Sequence, residues 1–110
     1  MRPVDLPFMP LYTADLLRKT QALAPVDIGV FVLLVVHYWE HGEMPDDPQT
    51  LAIITKTSAE DWPRSYARAM AAFHNYQAAI DALYEKQART YKQRVVAGKA
   101  GVNARTGKAH

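Results

Sequence analysis

His37, Glu40 and His41 spell H-x-x-E-H, the inverted form of a zinc-peptidase motif. On a helix the two imidazoles share a face, with Glu40 beside them. Hydrolysis there would need a third ligand and a cleft between lobes. The downstream glutamates Glu43, Glu60 and Glu85 carry no supporting motif, and 110 residues are few for a peptidase fold. A helix end whose histidines favour the C-terminal dipole and bond loop carbonyls is the better reading. Asp46 and Asp47 form a second acidic pair. Flanked by Pro45 and Pro48 and following Gly42, they read as turn and cap residues. The chain has no glycine-rich phosphate loop, no G-x-S-x-G and no cysteine, so thiolate zinc sites and disulfides are excluded. The residues therefore point to a non-catalytic protein with no cofactor and no metal.

Cations remain as the chemistry-bearing groups. Residues 1–63 hold four basic and nine acidic residues, net −5, and residues 64–110 hold nine basic and two acidic, net +7. Past Glu85 there is no acid, against Lys86, Arg89, Lys92, Arg94, Lys99, Arg105 and Lys108. Such asymmetry suits a polyanionic partner, and interleaved Tyr84 and Tyr91 suit nucleic acid. A solvated basic tail with no specific partner satisfies the same charge count. Upstream, Gln49 to Phe73 has the dimensions of a helix-turn-helix. Leu51, Ile54, Trp62, Tyr66 and Met70 would pack together. Arg64 and Arg68 would then lie one turn apart on the opposite face, with Lys56 at the joint. On residues alone a plain αα-corner with solvated arginines is favoured, and Asp61 on that face weakens the DNA reading.

The elements that position these groups read as helices. Thr13 caps a short helix to about Lys19. Pro25 opens, and Gly42 closes, an apolar helix too long for an ordinary strand. Val30 to Val36 is apolar all round, which places that helix at the domain centre, and Gly29 offers a neighbouring backbone a close approach. Asp47 caps a third helix with Pro48 at its first position, ending near Lys56. Ser58 and Asp61 resemble a capping box at the next joint. Trp62, Tyr66, Met70, Phe73, Tyr76, Ile80, Leu83, Tyr84 and Tyr91 keep one helical phase across His74-Asn75, predicting one long helix that begins irregularly near Trp62 or only at Pro63. Its far half needs a partner, either a second copy or the N-terminal segment. The Gly/Ala/Lys-rich composition beyond Val96 predicts disorder. The reading is one helical domain over 1–96 and a disordered basic tail over 97–110. The apolar stretch Ile28–Val36 is too short to span a membrane. MRPVDLPFMPLY lacks a signal-peptide core. A cytoplasmic protein of a bacterial host is expected.

Pro10, Tyr12, Asp15, Leu16, Gly29, His37-Tyr38-Trp39, Gly42, Pro45-Asp46-Asp47, Leu51-Ala52, Ser58 and Trp62 form a pattern spread over several elements. That pattern resembles the YdaU-like prophage protein family, over about half of the chain. The resemblance implies a winged-helix-like domain found in phage replication or replication-associated proteins. Two features depart from it. The chain passes from Ala72-Phe73 straight into HNYQAAIDAL, where the family has an aromatic β-hairpin, so the wing is reduced or absent. Ala24 stands where the family often has serine. The expected protein is all-α and helix-turn-helix or winged-helix-like, with a long C-terminal helix. The expected function is phage-derived DNA binding, non-catalytic and accessory to replication. Lys56, Arg64 and Arg68 would face the duplex, and Lys86 to Lys108 would add phosphate contacts. The alternative is a helical interaction module that pairs with a copy of itself through the Trp62–Tyr91 stripe, or with a replication protein.

Overall fold

The computed structural model describes residues 2, 4, 6–62 and 66–108, with side chains through Gly98. Four helices make up the described residues: α1 (Thr13–Lys19), α2 (Pro25–His41), α3 (Pro48–Thr55) and α4 (Ala67–Lys108), with no strand among them. No helix of the described residues is long and apolar enough to cross a membrane.

The boundaries of α2 and α3 follow from their end residues. Pro25 sits in the first turn of α2, where its missing N–H costs nothing. Gly42 stops the helix at φ 79°, donating its N–H to the Tyr38 carbonyl at 2.8 Å. In α3 the Asp47 carboxylate accepts the Thr50 N–H at 2.9 Å as well as the Thr50 hydroxyl. Lys56 ends α3 in the left-handed region at φ 59°, which a lysine adopts only at a cost. A polar relay holds that end. The Trp62 indole donates to Thr57 Oγ1 at 3.0 Å, and the Thr55 hydroxyl gives its proton to the Leu51 carbonyl at 2.7 Å. The 2.8 Å contact between the two threonine hydroxyls is therefore donated by Thr57.

At α1 the expectation of a threonine cap is corrected. Tyr12 is the cap residue, with no side-chain bond, and its carbonyl accepts the Leu16 N–H at 3.0 Å, so Thr13 is already helical. The start of α4 is corrected too. Trp62 is itself helical but lies outside α4, which begins at Ala67. At the Ser58 joint the bonds are local: Ser58 Oγ accepts the Glu60 N–H at 3.3 Å and the Ser58 carbonyl accepts the Asp61 N–H at 3.1 Å. From Ala67 the helix is continuous through His74-Asn75, as the single phase predicts. Its backbone stays helical to Lys108, through the stretch whose composition predicts disorder. Alanine, lysine and arginine are good helix formers and offset the three glycines, Gly98, Gly101 and Gly107.

The core lies between α2 and α4, with α3 on another side of α2 and α1 on α4. Three aromatic pairs form the α2–α4 seam: Phe31 with Tyr76, Tyr38 with Phe73, and Trp39 with Tyr84. Phe31, Leu34, Phe73 and Ile80 are fully buried. The all-round burial expected of Val30–Val36 is corrected. Val32 and Val36 remain 41% and 50% exposed, because α3 and α4 do not enclose that face. Gly29 is not a close-approach site either, since a Cβ there would meet nothing within 4 Å.

The N-terminal segment completes the seam. Val4 and Leu6 are buried, and the Tyr84 hydroxyl accepts the Val4 N–H (2.9 Å) and donates to the Val4 carbonyl (2.5 Å). Arg2 lies over the rings of Tyr84 (4.2 Å) and Tyr38 (4.8 Å), pairs with Asp81 at 3.6 Å and donates to the Tyr38 carbonyl at 3.3 Å. The Tyr38 hydroxyl donates to the same Asp81 carboxylate at 2.6 Å.

Candidate nucleic-acid interface

The predicted cations separate into three places. Lys56 is exposed at the left-handed cap of α3, and Arg68 is exposed in the first turn of α4. Arg64 lies outside the described residues. About 27 Å further along α4, at 1.5 Å per residue, a second group begins with Lys86. Lys86, Arg89 and Lys92 follow one another at three-residue steps, all exposed and turned away from the seam that Tyr76, Ile80 and Leu83 make. Arg94 does not join them. It is in phase with the buried stripe and lines a groove with Leu6, Phe8 and Tyr91. Lys99 belongs to α4, and its side chain lies outside the described ones.

Electrostatics favour the outward group. Among the described residues the ion pairs are Arg2–Asp81 and Arg18–Asp15, so Lys56, Arg68, Lys86, Arg89, Lys92 and Arg94 make none. Of the two acids on α4, Asp81 is engaged by Arg2 and Tyr38. Glu85 stands exposed beside Lys86 without an ion pair among the described residues. The face carries three cations against one acid, Glu85, one turn from Arg89.

The upstream helix pair takes a different shape from a tight corner. α3 and α4 each pack on α2, and Trp62 fills the space between them, over Tyr66 at 5.4 Å. Leu51, Trp62, Tyr66 and Met70 share the core cluster as the spacing predicts, and Ile54 stays outside it.

At the end of α2, His37 and His41 stack with ring centroids 4.4 Å apart, at the edge of a depression shared with Glu43 and Pro45. Burial first and the charge of His41 second lower the proton affinity of His37, and Glu43 opposes them. Among the described residues no cluster of three or more His, Cys, Asp or Glu side chains is placed to hold a metal ion.

Two features escape the sequence pattern. One is Arg2, whose role shows only once Tyr38, Asp81 and Tyr84 converge; a lone arginine among prolines gives no such signal. The other is an apolar groove of about 300 Å³ between the N-terminal segment and α2. Phe8, Leu11, Val32 and Val36 stand exposed around it, and Trp39 and Tyr76 line its depth.

The family described as "Protein of unknown function (DUF1376)" matches residues 7–93. The Uncharacterized protein YdaU of Escherichia coli (strain K12) is 39% identical over 57 residues, 52% of this chain and 20% of that protein. The match thus spans about a fifth of the length of that relative. No solved structure matches. Residues 7–93 take in α1, α2, α3 and all of α4 that packs on the core, and over them the chain belongs to the DUF1376 family.

Proposed function

We propose that this chain is a phage-derived, non-catalytic DNA-binding module, accessory to replication in a bacterial cytoplasm, that holds the phosphate backbone along the outward face of α4. The carrying observation is the stripe of Lys86, Arg89 and Lys92, exposed and free of ion pairs among the described residues, while Asp81 is engaged by Arg2. The resemblance to prophage replication-associated proteins supports the same reading. In its finer form, α3 and the start of α4 act as a helix-turn-helix without a wing, with Lys56, Arg64 and Arg68 toward the duplex. The shared packing of Leu51, Trp62, Tyr66 and Met70 supports that arrangement. Contacts of this kind are independent of sequence and sensitive to salt.

Fluorescence anisotropy with labelled duplex and single-stranded DNA at low salt tests the proposal. Binding that weakens steeply with salt is expected. Absence of binding at low salt overturns the proposal, and binding indifferent to salt overturns the phosphate mechanism. Charge reversal at Arg68 and Lys56, assayed separately from reversal on the α4 stripe, measures the share of each end.

The interaction-module reading has its own observation, with its surface moved. Trp62, Phe73, Tyr76, Ile80, Leu83 and Tyr84 are buried inside this chain's own core, so of the long stripe Tyr91 is left for a partner. An Ile80→Asp substitution would therefore break the core rather than an interface.

A further inference from the structure

Two apolar surfaces in this chain lack a counterpart. The first is the groove beside α2. Its exposed rim is apolar, and Glu40 is the one charged residue among those that line it. It is built almost wholly from the acid-rich first half of the chain. The second is the end of α4 beyond Ala88. The stripe that packs against α2 continues in phase past the core, so Tyr91 and Val95, one turn apart, stand 45% and 37% exposed. Lys92 and Arg94 flank these residues.

We propose that the groove of one copy of this chain receives the projecting end of α4 from a second copy. Helix-in-groove recognition seats residues spaced one turn apart, as Tyr91 and Val95 are, in an apolar trough. Charge selects this occupant. Two α4 ends packed on each other would bring Lys92 and Arg94 against their own copies, and like charges at close range oppose association. An α4 end in the groove brings those cations to Glu40 and to the acid-rich half instead. The contact is head-to-tail, so each copy uses a different surface for giving and for receiving, and chains longer than two can form. The inference shares Lys92 with the DNA reading, while its receiving groove, with Val32 and Val36, lies on another element.

Sedimentation velocity of the full chain over rising concentration provides the test. Association that weakens as salt rises is expected. Val36→Asp and, separately, Val95→Asp each weaken it about tenfold or more. Both positions are exposed, and circular dichroism checks that the helices persist; Val32→Asp, at another exposed lining residue, serves as a second groove variant. The decisive arm mixes the two variants. Val36→Asp retains an intact helix end and Val95→Asp an intact groove, so together they form a one-to-one dimer that neither forms alone. A monomer at every concentration overturns the proposal, as does association that Val36→Asp leaves unchanged. Failure of the mixed pair to associate overturns the head-to-tail geometry. DNA titration of the unsubstituted chain keeps the two proposals distinct: a chain that stays monomeric yet binds DNA sinks this one alone, and an assembly that ignores DNA sinks the other.

Discussion

Two glycines show how far local geometry decides what a residue is for. Gly42 closes α2 at φ 79°, and an added Cβ would lie 3.0 Å from Cδ of Arg2. Gly42→Ala therefore meets both left-handed strain and the Arg2 stem, and should lower unfolding free energy by about 1–2 kcal/mol. Gly29 has helical neighbours and open space, so Gly29→Ala should raise it by about 0.5–1 kcal/mol. Urea denaturation of the pair checks the opposite signs. The histidine pair makes a separate prediction. Burial, then the neighbouring His41, make His37 a weaker base folded than unfolded, against the pull of Glu43. The stability it contributes is full above the ordinary histidine range and is lost as pH falls through its lowered folded value. Denaturation midpoints measured from neutral to mildly acid pH should fall, and His37→Asn should flatten that part of the profile. An unchanged slope would show that His37 does not carry the fall.

At the scale of elements, the N-terminal segment depends on one phenol. Tyr84→Phe removes both bonds to Val4 and leaves a buried N–H and carbonyl without partners, a loss of about 1–3 kcal/mol. Hydrogen exchange or limited proteolysis over residues 6–12 should report a detached segment, with α2 protected as before. The converse outcome, no change in the segment, would mean that Arg2 alone holds it. The helix boundaries tell how much of this was legible. Pro25, Gly42, Asp47 and Pro48 fix the ends of α2 and α3 by local stereochemistry, and local stereochemistry is written in adjacent residues. The continuity of α4 through His74-Asn75 was legible for the same reason, since phase is a property of spacing. The exposed side of Val32 and Val36 was not. An apolar run states that a helix can be buried all round, but which neighbours arrive depends on the packing of α3, α4 and the N-terminal segment. The far half of the α4 stripe was expected to pack on a second copy or on the N-terminal segment. The N-terminal segment covers Tyr84, and Tyr91 is left beyond it.

The whole molecule measures 67 × 30 × 18 Å, and its long dimension follows α4, 42 residues or about 63 Å by the helical rise. Charge is sorted along that body, with the acid-rich half wrapped around the α2 core and the basic half extending past it. The charge count showed that sorting from sequence. It did not show that Arg94 leaves the stripe that Lys86, Arg89 and Lys92 form, because that follows from helical phase together with the position of Phe8. The distinction can be measured. For duplex DNA the logarithm of the binding constant falls with the logarithm of salt at a slope of about −0.9 per phosphate neutralised. If the three outward cations each hold a phosphate, replacing all three by alanine should shallow the slope by roughly 2.7 units. Arg94→Ala should change it little, because that side chain lies against the N-terminal segment. Lys56→Ala with Arg68→Ala then separates two geometries. A further loss of slope means that the duplex spans both ends of α4, with the α3–α4 end docked as a recognition unit. An unchanged slope means that the polyanion lies along the projecting half alone. That half also carries Tyr91 and Val95, so self-assembly and DNA would compete for it, and the slope should then depend on protein concentration.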